Sequence, residues 1–146
     1  MEDHYQYLVS EGVSAIKAGN TALALLHFQE ASALNEGPEL FSHYAYCLAK
    51  EKNDYSRAIA LCEKALNKEP WNSIHYLNLG YVYLLSGEKR TAIYTFRDGL
   101  LHEENPQIRK ELARLGIRKR QVIASLPRDH MINKYLGILW TRLKLR

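Results

Sequence analysis

The chain has 146 residues, of which 47% are apolar and 25% charged, the proportions of a single soluble globular domain. They exclude a disordered, collagen-like or disulfide-stapled chain, and no run of about 18 apolar residues exists to span a bilayer. The net charge of +4 is uneven: residues 1–105 carry 9 Lys and Arg against 14 Asp and Glu, a balance of −5, and residues 106–146 carry 11 against 2, a balance of +9.

The N-terminus, Met1-Glu2-Asp3-His4-Tyr5, is acidic and has no hydrophobic signal core, so a cytoplasmic location is expected. A helical stretch rich in Tyr and Leu runs to Gly19 and Asn20, which supply a turn and a cap. Leu25, Phe28, Ala31 and Ser32 mark one face of a second helix near residues 21–34. Pro38 stands where a third helix starts. Asn53 and Asp54 turn the chain, and Ala58, Ile59, Cys62, Ala65 and Leu66 follow helical spacing in a fourth. Pro70 marks the start of a fifth helix and Gly87-Glu88 its turn. Ile93, Phe96 and Leu100 repeat the apolar face in a sixth. Asn105-Pro106 has the form of an N-cap followed by Pro at the first helical position. Ile108, Leu112 and Leu115 then share one face, and Gly116 ends that helix.

A shift of 34 residues aligns the chain with itself three times. Ala24, Ala58 and Ala92 form one column; Ala31, Ala65 and Gly99 another. Phe28, Cys62 and Phe96 form a larger apolar column, as do Leu25, Ile59 and Ile93. Gly19, Asn53 and Gly87 form a turn column. The unit is helix–turn–helix, repeated three times.

These residues and this spacing resemble the tetratricopeptide repeat (TPR) family, in which small residues let two antiparallel helices approach and larger ones fill the gaps. The resemblance implies an all-α, right-handed superhelix with repeats at 5–37, 38–72 and 73–106, a capping helix at about 106–117, and a separate basic segment at 118–146. Leu8, Gly12, Ala15, Ala24, Phe28 and Ala31 carry it in the first repeat. Phe41, Tyr44, Ala45, Leu48, Ala58, Cys62, Ala65 and Pro70 carry it in the second, and Tyr76, Leu79, Gly80, Tyr83, Ala92, Phe96 and Gly99 in the third. Glu11 and Glu36 depart from the pattern, occupying an apolar position and the Pro position. The second repeat holds one extra residue near Lys50-Glu51-Lys52, which predicts a looser turn there.

The last forty residues contain Arg118-Lys119-Arg120, then Arg128, Lys134, Arg142, Lys144 and Arg146. Ile132, Tyr135, Leu136, Leu139 and Leu143 form an apolar stripe over 131–145, widened by Ile138 and Trp140. Three readings compete for this basic amphipathic stretch: packing on its own repeats or across a homodimer, binding an acidic partner, or touching an anionic membrane or nucleic acid. The acidic body argues against a broad nucleic-acid face.

No catalytic or metal-binding constellation stands out. Cys47 and Cys62 lie among apolar neighbours and read as buried free thiols. The six histidines lack the spacing that puts two ligands on one metal. Gly87-Glu88-Lys89-Arg90-Thr91 lacks the frame of a phosphate loop. Neither an enzyme nor a cofactor is expected.

The informative surface is the concave one. The resemblance implies that it is lined by Gln6, Val9, Val13 and Ile16, by Glu39, Ser42, Tyr46 and Ala49, and by Ile74, Leu77, Tyr81 and Leu84, a mostly apolar groove. Cochaperones of the family hold a peptide carboxylate with a clamp of two Lys, two Asn and one Arg. The corresponding positions here are Val9, Val13, His43, Ile74 and Asn78, so no carboxylate clamp is expected. The expected function is a scaffold or adaptor that takes an apolar helix or extended peptide of another protein. The alternatives are a small TPR-type chaperone for a secreted or assembly client, and a peripheral anchor acting through the basic C-terminal segment.

Overall fold

The computed structural model describes residues 1–116. They form α1 (Glu2–Lys17), α2 (Thr21–Leu34), α3 (Pro38–Lys52), α4 (Tyr55–Lys68), α5 (Ser73–Leu85), α6 (Lys89–His102) and α7 (Pro106–Arg114). No strand occurs among the described residues. The basic residues Arg118, Lys119, Arg120, Arg128, Lys134, Arg142, Lys144 and Arg146, and the stripe over 131–145, lie outside the described residues.

Most of the helices start at a local chemical signal. The side chains of Asn20, Asp54 and Asn72 accept hydrogen bonds from the backbone N–H of Leu23, Arg57 and Ile74, each worth about 1 kcal/mol. Asn105 accepts from both Gln107 and Ile108 at 3.0 and 3.2 Å. Pro38 occupies the first turn of α3. Pro70 does not occupy the first turn of α5. It lies in the connection before Ser73, where its carbonyl accepts from the Tyr76 hydroxyl at 2.9 Å, because Asn72 takes the capping role.

The turns explain the extra residue of the second repeat. In repeats 1 and 3 the helix closes with a long backbone bond, Asn20 N to Ala15 O and Glu88 N to Tyr83 O, both 2.8 Å. Gly19 (φ 80°) and Gly87 (φ 86°) sit in the left-handed region that this closure requires. In repeat 2 the helix instead continues through Lys52, and Asn53 (φ 55°) makes the left-handed step. The expected loosening is therefore absent: α3 absorbs the extra residue, and only Asn53 and Asp54 separate it from α4.

α1 packs on α2, α3 on α4 and α5 on α6; α3 bridges α2 and α5, α4 packs on α5, and α7 packs on α6. The small-residue columns sit at these crossings. Ala24, Ala31, Ala58, Ala65 and Ala92 have no exposed surface. A Cβ at Gly12 would stand 2.7 Å from Phe28 Cζ, and one at Gly80 would stand 2.6 Å from Phe96 Cζ, well inside van der Waals contact. In repeat 2 the corresponding Ala45 and Cys62 are both fully buried. The burial of both free thiols, Cys47 and Cys62, accords with the expectation from sequence; desolvation pushes Cys47 up to about 12 and raises Cys62 as well.

Each end of the stack is also tied across about one repeat. The Gly37 N–H donates to the Tyr5 hydroxyl at 3.2 Å. The Ser73 N–H and hydroxyl both donate to Glu103, and Asn105 donates to the Ser73 hydroxyl at 3.0 Å. Glu36, the departure at the Pro position, accepts from Lys64 at 2.9 Å. Ile108 of α7 is fully buried against the last repeat, beside Gly99, as a terminal cap requires. α7 stops at Arg114, short of the expected 117, and Gly116 takes φ 67°.

The helix spacing at Gly80 yields a prediction. Gly80→Ala forces Phe96 out of its place and lowers stability by about 1–3 kcal/mol, and Phe96→Leu in the same chain restores part of that loss. Thermal unfolding of the three variants reads this out; a Gly80→Ala chain as stable as the parent would remove the ring as the spacer.

Candidate functional site

The first helices of the three repeats, with the start of α7, surround a cavity of about 570 Å³. α1 contributes Val13, Ile16 and Lys17; α3 contributes Glu39, His43 and Tyr46; α5 contributes Ile74, Leu77, Asn78 and Tyr81; α7 adds Gln107. Seven residues expected from the sequence, Val13, Ile16, Glu39, Tyr46, Ile74, Leu77 and Tyr81, thus share one hollow. Ile74 is 41% exposed, whereas Leu77 is 5% exposed and forms the base.

Five expected groove residues, Gln6, Val9, Ser42, Ala49 and Leu84, lie elsewhere, Gln6 beside Val9. Val9 is buried in the core of the first repeat and borders a shallower hollow of about 200 Å³. Leu84 is half-buried and does not line the cavity. In α3, Ser42 and Ala49 are fully buried rather than groove-lining, because Ser42 turns toward α5 to bond with it, and His43 faces the cavity instead. Lys17 and Gln107 also join the lining. Lys17 sits one helical turn beyond Val13, so continuing the α1 stripe would have found it; Gln107 needed the packing of α7.

The aromatic part of the wall is a stack. Tyr46 and Tyr81 lie with centroids 5.4 Å apart, and Tyr81 meets Phe96 edge-on at 6.1 Å. Lys50 Nζ stands 5.8 Å from the Tyr46 ring. The Tyr81 hydroxyl donates to Glu111 of α7 at 3.4 Å. Burial and the neighbouring Glu111 carboxylate push that hydroxyl up to about 12.

Beside the stack runs a buried polar row that no local motif announced. His75 has no exposed surface. Its Nε2 lies 2.9 Å from Glu69 Oε2 and its Nδ1 lies 2.9 Å from Ser42 Oγ. Asn78 Nδ2 is 3.1 Å from Ser42 Oγ and 3.3 Å from His43 Nδ1. Hydrogen bonds from Asn72 and then His75 hold Glu69 below the usual carboxylate range. Ser42, His75 and Glu69 have the order of a nucleophile, base and orienting acid. Ser42 nevertheless has no exposed surface and its oxygen is engaged from two sides, so the row fixes α3 against α5 and offers no nucleophile to solvent. Among the described residues no cluster of three or more His, Cys, Asp or Glu is placed to hold a metal, and no helix is long and apolar enough to cross a membrane.

His43 lies on Phe28, ring centroids 6.1 Å apart and nearly parallel. Burial, then His75 and Lys17, lower its pKa from 6.5 to about 4, so the ring is neutral at pH 7.

Solved structures with the same arrangement of helices are tetratricopeptide-repeat domains. The first TPR of Spaghetti (RPAP3), bound to the HSP90 peptide SRMEEVD, matches with a TM-score of 0.62 at 16% identity, over 78% of this chain and 94% of that one. The Arabidopsis OM64 TPR domain matches at 0.62 and 22% identity, over 77% and 94%. The second TPR domain of human RPAP3, in complex with the HSP70 peptide SGPTIEEVD, matches at 0.61 and 20% identity, over 80% and 98%. No protein-family model and no curated protein matches the chain.

The depressed His43 pKa has a pH consequence. Below about pH 6.5 the unfolded chain takes up a proton at His43 that the folded chain refuses until about 4. The folded state therefore loses stability as pH falls through this window, by about 1–2 kcal/mol on reaching pH 5. Urea unfolding of the parent and of His43→Gln, which keeps an acceptor for Asn78, checks this: the variant loses less. Identical pH dependence in the two chains would disprove the assignment.

Proposed function

We propose that this chain, whose fold is that of the tetratricopeptide-repeat domains, is a non-catalytic protein-interaction module that takes an apolar segment of a partner protein in the cavity walled by α1, α3 and α5. One observation carries the reading: Val13, Ile16, Tyr46, Ile74 and Tyr81, from three separate helices, converge on one open hollow of about 570 Å³. None of these side chains is fully buried, and completing the burial of one large apolar side chain contributes about 1.5–3 kcal/mol at most. A solvent-facing concave apolar wall with a few polar groups is the usual form of a recognition site.

Two of the neighbouring domains carry acidic peptides, SRMEEVD and SGPTIEEVD. That chemistry is not the one proposed for this chain. The positions of a carboxylate clamp hold Val9, Val13, His43, Ile74 and Asn78, His43 is neutral, and Lys17 shares the cavity with the acidic Glu39. An anionic terminus would find no bidentate cation to neutralise it. A chaperone that shelters an apolar client segment would use the same surface.

The test is selection of random displayed peptides on the full chain. The expected winners carry large aliphatic or aromatic anchors, and Ile74→Asp weakens them at least about tenfold, because an unpaired carboxylate is pressed against apolar surface. Ile74 is exposed enough that its variant keeps the parent's circular dichroism and melting temperature. Selected peptides that bind Ile74→Asp as tightly as the parent would place the site elsewhere.

A further inference from the structure

α2 differs from α4 in what it shows to solvent. Its exposed arc holds Leu23 (43% exposed), Leu26 (61%) and Leu34 (39%), with Ala22 and Ala33 among them. The 34-residue register supplies an internal control. The places of Leu23, Glu30 and Leu34 in α2 are those of Arg57, Lys64 and Lys68 in α4, all of them exposed. The fold therefore puts water against these positions, and α4 meets it with charge, as a helix with one buried face does. α2 is instead apolar on its outer side as well as its inner one, the pattern of a helix that is covered on both.

The face continues onto α1. His4 Nε2 stands 3.7 Å from Glu30 Oε1, and the His4 ring stacks on Tyr7 with centroids 6.5 Å apart, so the exposed Tyr7 adjoins the outer side of α2. Tyr7, Glu11 and Ser14 hold in α1 the places of Leu40, Tyr44 and Cys47 in α3 and of His75, Leu79 and Val82 in α5. Those six are buried, in helices on which α2 and α4 pack. No repeat precedes α1 among the described residues, and Tyr7 and Ser14 stay exposed. The stacking contact of the fold is thus open at this end. Its charge is one-sided: α1 and α2 carry Glu2, Asp3, Glu11 and Glu30 against Lys17 alone, and Lys17 lines the cavity.

We propose that the outer side of α1 and α2 docks an amphipathic helix of another protein, with an apolar stripe that meets Tyr7, Leu26 and Leu34 and flanking lysines or arginines that meet Glu11 and Glu30. A helix fits because the face continues the helix-on-helix contact by which each repeat receives the next. Cations fit because the rim is acidic, and opposite charge steers the encounter and fixes its register. The same acidity disfavours a second copy, since a twofold axis through this face would bring two acidic rims together. The face shares no residue with the cavity, so the chain holds two separate sites and can join two partners.

The experiment titrates the full chain, by fluorescence anisotropy, into a labelled 14-residue helical peptide, the length of α2. The peptide is built of leucine and lysine with leucine on one face; its control carries glutamate for every lysine. At low ionic strength the parent is expected to bind the lysine peptide at least about tenfold tighter than the glutamate peptide, and salt shrinks that preference. Leu23→Arg with Leu34→Lys gives α2 the residues that α4 carries at the same places, so the double variant keeps the parent's melting temperature and is expected to bind the lysine peptide at least about tenfold more weakly. Glu30→Lys is expected to narrow the preference for lysine to below about threefold. Ile74→Asp, in the wall of the cavity, is expected to change none of this. Binding lost in Ile74→Asp and kept in the double variant would overturn the inference and give the helix to the cavity. Equal binding of the two peptides by the parent, or none at about 100 μM, would overturn it outright. Sedimentation of the free parent as a dimer that the double variant abolishes would give the face to a second copy instead.

Discussion

The aromatic rings of Phe28 and Phe96 occupy the space where residues 12 and 80 would otherwise carry a side chain. That substitution of a ring for a missing Cβ sets the distance between the two helices of a repeat, and the rest of the architecture follows from it. With the helices so close, Ala24, Ala31, Ala58, Ala65 and Ala92 of α2, α4 and α6 are fully enclosed, and the larger residues are left to fill the spaces between repeats. The first helices are thereby arrayed side by side, and the cavity is the surface they share. An interior packed at this density tolerates little change in volume, so the constraint at the two glycines propagates to the geometry of a site formed by other residues.

Much of this was legible in the residues themselves. The columns at Ala24, Ala58 and Ala92, and at Phe28, Cys62 and Phe96, encode the repeat because each position meets the same neighbour in every copy. Asn20, Asp54 and Asn105 announced helix starts because a cap acts on residues two or three places away. Glu88 held the equivalent place in the third repeat but makes no side-chain cap bond. Where the second repeat carries an extra residue, counting located it but pointed to a looser turn; the helix absorbs it instead, because Asn53 can make the left-handed step directly after Lys52.

The candidate site was only half legible. Apolar groove positions could be read from the repeat register, and six of them meet around the cavity. The polar row could not, because Ser42, His75 and Asn78 join residues 33 and 36 places apart through side chains on two helices. No spacing within either helix signals such a pairing. A lone histidine in an apolar stretch was the one available clue, and in sequence it is indistinguishable from the other five. The same row accounts for the shift of α3's lining from Ser42 to His43: satisfying a buried hydroxyl outweighed keeping register with the neighbouring repeats.

The ties at the two ends of the stack, Gly37 to Tyr5 and Ser73 to Glu103, join residues 32 and 30 places apart, and the polar row between repeats spans hardly more. Every ordering step therefore closes a loop of nearly the same small size, with nearly the same entropy loss. A topology of this kind has no distant pairing that must wait for the rest of the chain, which favours fast assembly from whichever repeat orders first. It also makes the order of synthesis matter little: the bond that ties the first repeat has both partners once Gly37 has emerged, and Leu40, Tyr44, Cys47 and Leu48, which complete its core, follow within the next helix.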